Sequence, residues 1–165
     1  MTAYEKIFDT LNRHGVRYLV VGGVAVVLYG AQRITFDLDI VIQLDAENTA
    51  RLAKAAEEAG LIPRVPVKIE QLGDENIRKR WIEEKGVVVF SLVTRAIPTR
   101  VVDIFVYEPF DFEKAYKERT DVKVGDAVVP LVPREILLRL KKEVARTKDL
   151  ADVEAIEKLM KDGLI

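Results

Sequence analysis

The stretch Val20–Leu44, VVGGVAVVLYGAQRITFDLDIVIQL, decides the fold. Residues from Ile34 to Leu44 alternate in character. Phe36, Leu38, Ile40 and Ile42 fall on one side of a strand, and Asp37, Asp39 and Val41 fall on the other. Upstream, the apolar run ending at Val21 reads as a buried strand that stops at Gly22-Gly23. VAVVLYG then reads as a helix closed by Gly30. Strand, glycine turn, helix and strand thus follow each other within 25 residues.

Outward from this unit the pattern stays mixed. Tyr4, Ile7, Phe8 and Leu11 recur at helical spacing before Gly15, which predicts a first helix. Asp45 is a natural N-cap for an Ala-rich helix ending at Gly60. Pro63 and Pro66 predict an irregular edge strand and a loop, and DENIRKRWIEEKG predicts a helix with Trp81 on its apolar side. GVVVFSLV and RVVDIFVYE read as two strands joined by TRAIPT, and DFEKAYKE as a short helix. DVKVGDAVVPLV predicts a small hairpin turning at Gly125-Asp126. Two helices follow, the first with Pro133 in its first turn. The expectation is an α+β fold with a mixed β-sheet covered on one face by helices. It forms a single domain over 1–165, with a core at 16–107 and a C-terminal helix pair at 133–162.

Bulk properties restrict the function. The 165 residues include no cysteine, which rules out disulfides and thiolate metal sites. Lys and Arg number 26 against 27 Asp and Glu, so no global field draws the chain to nucleic acid or an anionic membrane. Charged residues make up 32%, above the roughly 25% of ordinary domains, a lean toward proteins from hot environments. The longest apolar run, Tyr18–Ala31, is too short to span a bilayer, and the N-terminus lacks the form of a signal peptide. A cytoplasmic protein without membrane partners is expected.

The chemistry lies in the acids. Asp37 and Asp39, two residues apart on a strand, face one spot with Cα atoms roughly 6.5 Å apart. Their repulsion raises a pKa unless a cation lies between them, and a hard cation such as Mg²⁺ takes oxygen ligands while sharing its shell with water and phosphate. Asp103, flanked by apolar residues in VVDIFVY, needs a partner and would join them if its strand lay alongside. Three such acids suit two-metal phosphoryl displacement. Gly22-Gly23 would let a phosphate approach the backbone and a helix N-terminus. Simpler readings stand beside these: a solvated strand face for Asp37 and Asp39, a tight turn for the glycines, and pairing of Asp103 with Arg100 or Arg33. Lys141, Lys142, Arg146 and Lys148 read equally as a solvated helix face and helix-end charges, and Asp149 and Asp152 as caps. His14 reads as a helix-end charge, and Trp81 and Tyr29 as packing residues.

GG, then AxxLYGAQRxTxDLDI, then an isolated Asp in a later strand, resembles the DNA polymerase beta-like nucleotidyltransferase superfamily. Arg33 and Thr35 before the acids, with Lys141, Arg146, Lys148, Asp149 and Asp152 downstream, resemble its minimal AbiEii toxin-like branch. The resemblance implies transfer of a nucleoside monophosphate from an NTP, with Mg²⁺ or Mn²⁺, to an acceptor hydroxyl, RNA and protein being candidates. A cognate antitoxin is an implied partner. It also implies that Gly22 and Gly23 hold the triphosphate with Arg33 and Thr35 nearby. Asp37, Asp39 and Asp103 would ligate metal, Asp103 also helping to activate the acceptor, and Lys141 would approach phosphate or the acids. Gly-Gly stands where many active relatives have Gly-Ser, so a catalytically silent nucleotide-binding or protein-interaction module is the alternative.

Overall fold

The computed structural model describes residues 2–165. Helix α1 (Thr2–Arg13) leads into strand β1 (Tyr18–Val21), helix α2 (Gly22–Leu28) and strand β2 (Asp37–Ile42). Helix α3 (Ala46–Ala59), strand β3 (Leu61–Pro63), a 3₁₀ turn (Ile69–Gly73) and helix α4 (Glu75–Lys85) follow. Then come β4 (Val89–Thr94), β5 (Val101–Phe105), α5 (Phe112–Lys117), β6 (Thr120–Val124) and β7 (Ala127–Leu131). The last elements are α6 (Arg134–Val144) and α7 (Thr147–Lys161).

One seven-stranded mixed sheet runs β3-β4-β5-β2-β1-β7-β6. β2 is antiparallel to β1 and parallel to β5, and Asp39 lies opposite Asp103 in the register. The predicted β6–β7 hairpin is part of this sheet, because β7 pairs in parallel with β1.

The two faces of the sheet differ as alternation requires. Tyr18, Val20, Leu38, Ile40, Ile42, Val102 and Ile104 are buried on one side. There the Phe8 ring of α1 stacks on Tyr18 at 6.5 Å. Tyr4, Ile7 and Leu11 complete the apolar stripe of α1. The other face carries Asp37, Asp39 and Asp103; α2 and α6 flank it and leave it open beside β5. The caps explain why α3 sits where it does. Asp45 accepts from the Asn48 N–H, and Gly60 closes the helix at φ +72°.

Three expectations need correction. Phe36 is not core: it is 77% exposed, because the strand begins at Asp37 and residues 31–36 form an irregular connection. Gly22 is not a linker between strand and helix but the first helical residue of α2. Pro133 is the N-cap of α6 rather than a first-turn residue. Trp81 is partly buried and stacks on Phe90 at 6.0 Å, although α4 has no fully buried residue.

Candidate active site

The sequence-predicted residues Gly22, Gly23, Arg33, Thr35, Asp37, Asp39, Asp103 and Lys141 all line one cleft of about 450 Å³. That volume falls within the roughly 300–1,000 Å³ of small-ligand sites. Neighbouring parallel strands lie roughly 4.8 Å apart. The opposed Asp39 and Asp103 therefore project side by side, with Asp37 two residues further along the same face. Among the described residues, none of these three carboxylates is in salt-bridge distance of a lysine or arginine.

Each acid has a different setting. Asp103 Oδ1 accepts a hydrogen bond from Ser91 Oγ at 2.5 Å, so the alternative pairing with Arg100 or Arg33 is set aside. Ser91 lies opposite Asp103 in the β4–β5 register, a placement that no local sequence pattern announces. Burial pushes the Asp39 carboxyl up to about 6, repulsion from Asp103 and Asp37 adds to this, and Lys141 and the Gly23 N–H oppose it. The α1 residue Tyr4 donates its hydroxyl to the Phe36 carbonyl and so anchors the chain just before Asp37. Burial raises the Tyr4 pKa, and the charge of Asp37 adds to it.

The glycines serve close packing. A Cβ on Gly22, which sits at φ +65°, would lie 2.7 Å from Asp39 Cγ, and one on Gly23 would lie 2.6 Å from Thr35 Oγ1 and 3.1 Å from Arg33 Cζ. No side chain fits at either position. The space saved is filled by Asp39, Thr35 and Arg33, so the turn is less open than an empty phosphate cradle.

Lys141 does not lie on a solvated helix face. It is only 8% exposed, and its Nζ is held by Asp149 at 3.1 Å and Asp152 at 2.7 Å. Asp152 also pairs with Arg33, and Arg146 Nε donates to Asp149 at 2.7 Å. Asp149 and Asp152 are therefore not helix caps. They form a buried ion network tying α7 to α6 and to the connection before β2. Burial alone would raise the Asp149 pKa, but the bonds from Arg146 and Lys141 outweigh it and hold this carboxyl below its usual range. Lys141 lines the cleft and acts on Asp39 through its charge, while its hydrogen bonds go to α7.

Among the described residues no three Asp, Glu or His side chains stand close enough together to hold a metal ion by themselves. The donor set nevertheless fits a hard cation. It offers carboxylate oxygens without cationic partners, and Asp39 carries a repulsion that positive charge would relieve. Water and phosphate oxygens would complete such a shell. Arg33, Arg146 and Lys148 line the same cleft. No helix among the described residues is long and apolar enough to cross a membrane.

Residues 4–85 match the family model described as Aminoglycoside-2''-adenylyltransferase. The match includes Gly22, Gly23, Arg33, Thr35, Asp37 and Asp39 and stops before Asp103 and Lys141. No curated protein matches the chain by sequence. Among solved structures, the lincosamide antibiotic adenylyltransferase LnuA with lincomycin bound is 19% identical, with 92% of each chain covered and a TM-score of 0.60. A nucleotidyltransferase structure from Thermotoga maritima is 16% identical, over 98% of this chain and 92% of that one, at a TM-score of 0.59. ANT(2'')-Ia in complex with adenylyl-2''-tobramycin is 14% identical, over 96% and 88%, at 0.61. The chain has the minimal nucleotidyltransferase fold. The matches support the wider nucleotidyltransferase superfamily and do not single out the AbiEii-like branch.

Proposed function

We propose that the protein is a metal-dependent nucleotidyltransferase that moves a nucleoside monophosphate from an NTP to the hydroxyl of a small acceptor molecule. The observation that carries this reading is the convergence of Asp37, Asp39 and Asp103, unpaired with any cation, on a cleft that Arg33, Arg146 and Lys148 also line. The triphosphate would lie against Lys148 and against Arg33 and Arg146, whose other contacts are Asp152 and Asp149, with Gly22 and Gly23 beside it. Asp37, Asp39 and Asp103 would hold Mg²⁺ or Mn²⁺, which when bound stabilises the negative charge that builds on the reacting phosphate.

Asp103 keeps Oδ1 on Ser91 and can receive the acceptor's hydroxyl proton at Oδ2. The acceptor oxygen then bonds to the α-phosphorus as the bond to the bridging oxygen breaks, and pyrophosphate leaves. The buried network through Asp152 and Asp149 holds Arg33 and α6 in place, so the cleft is already formed before substrate arrives.

A small acceptor is favoured over a long nucleic acid by the net charge of −1, which offers no extended basic track. The antibiotic ligands in the LnuA and ANT(2'')-Ia structures support the same choice. The test is incubation with labelled NTPs and Mg²⁺ or Mn²⁺ in the presence of aminoglycosides, lincosamides, cellular RNA or cell protein. Labelled small product, abolished by Asp37→Ala with Asp39→Ala, is expected. Label on RNA or protein would restore the toxin-like reading and its antitoxin partner. NTP binding without transfer to any acceptor would leave a silent nucleotide-binding module.

A further inference from the structure

We infer that a second pocket, at the sheet edge between β4 and the C-terminal end of α4, binds a small carboxylic acid with an apolar body. It holds about 380 Å³, within the range of small-ligand sites, and shares no lining residue with the cleft that carries the three acids. Two prolines open it. β3 pairs with β4 from Leu61 opposite Thr94 to Pro63 opposite Leu92, and the Arg64 N–H extends the ladder to the Ser91 carbonyl at 3.0 Å. The next bonding position in that register, opposite Val89, falls on Pro66, which has no N–H to give. The chain turns away instead, with the Val67 N–H on the Val65 carbonyl at 2.7 Å. The Val89 backbone faces the same edge as that of Ser91, two residues on, and among the described residues no backbone group meets it there.

The lining selects the ligand. Trp81 stacks on Phe90 at 6.0 Å, and Val65 and Val87 extend the apolar wall. Val65 is 50% exposed, a large apolar side chain that the core does not use. Arg64 and Lys85 line the same pocket, Lys85 one turn beyond Trp81 on the same side of α4. No carboxylate lines it, and among the described residues neither cation is within salt-bridge distance of an acid. Two unpaired cations and the Val89 N–H beside an apolar wall suit an anion joined to an apolar group. A planar carboxylate matches the fork of Arg64, and the apolar body displaces water from Trp81 and Val65. With no carboxylate or histidine of its own, the pocket binds its occupant without transforming it. Ser91, which borders the pocket, also donates to Asp103 Oδ1, so the two sites meet across β4.

Trp81 is the chain's one tryptophan, so its fluorescence reports on this pocket. Titrating the full chain with octanoate should change that fluorescence saturably, and calorimetry should give a single site per chain. Octanamide keeps the apolar body without the charge and should bind on the order of tenfold more weakly, as should octanoate to Arg64→Gln. Val65→Asp, at an exposed position, should fold and should abolish octanoate binding, with melting temperatures as the control for both variants. ATP with Mg²⁺, or inorganic phosphate, should leave octanoate affinity unchanged. Equal affinity for octanoate and octanamide, unaltered binding in either variant, or the lack of a saturable signal overturns the site. Displacement of octanoate by ATP would put the probe in the acid-lined cleft, and competition by phosphate would leave only a general anion patch; either result overturns it too.

Discussion

Replacing Asp39 with asparagine should make the metal-free protein more stable at neutral pH while abolishing transfer. The Asp39 carboxyl sits at about 6 in the fold against an ordinary 3.8, chiefly because it is buried and then because Asp103 repels it. Folding at pH 7 therefore buries a carboxylate whose charged form its surroundings disfavour. The gap of about two pH units, at about 1.36 kcal/mol each, corresponds to an upper figure of about 3 kcal/mol. Relaxation of neighbouring side chains brings the expected gain to ~1–3 kcal/mol. Asparagine keeps the volume and an oxygen that can accept the Gly23 N–H, so no cavity offsets the gain.

The sign follows from proton counting. Between about pH 4 and 6 the native state binds more protons than the unfolded chain, so stability falls as pH rises through that window and is level above it. The asparagine variant lacks this titration. Its advantage should be full at pH 7.5 and shrink to less than about 1 kcal/mol near pH 4. Urea denaturation in EDTA at several pH values measures both quantities. A variant less stable than the parent at pH 7.5, or an advantage that persists unchanged at pH 4, refutes the reasoning. Excess Mg²⁺ should narrow the difference, since a cation held by the acids stabilises the parent by mass action and the variant less.

Gly22→Ala should cost ~2–4 kcal/mol in the same assay, because it combines a left-handed backbone with overlap onto Asp39. The double variant with Asp39→Gly should recover part of this loss. Asp152→Ala removes the shared partner of Arg33 and Lys141 and should cost ~3–5 kcal/mol, read as a fall in melting temperature, with Asp152→Asn in between. Ser91→Ala should change stability by only ~1 kcal/mol but lower kcat more than it raises KM for NTP, since it frees the carboxylate that receives the proton. Tyr4→Phe should cost ~1 kcal/mol in urea denaturation by releasing the Phe36 carbonyl that anchors the start of β2.

What could be read from the chain and what could not divide along a physical line. Asp37 and Asp39 were legible because a strand's period of two puts them on one side whatever the tertiary structure. The same period misplaced Phe36, since it cannot say where the strand begins; the start is set by the hydroxyl of Tyr4, 32 residues away. Asp103 was legible as an acid among apolar residues, but Ser91 beside it was not, because a serine in a strand has no need of a partner to be tolerated.

The ion network is the more instructive case. Lys141, Asp149 and Asp152 each look like surface helix charges, and only the packing of α6 against α7 buries them. Once buried, their pairing is obligatory, since an unpaired charge there would cost far more than the pair contributes. Arg33 belongs to the same network through Asp152, so the connection that delivers Thr35 and Asp37 to the cleft is tied to the last helix of the chain. Substitutions in α7, far from the acids in sequence, should therefore disturb nucleotide binding through Arg33 before they disturb Asp37, Asp39 or Asp103.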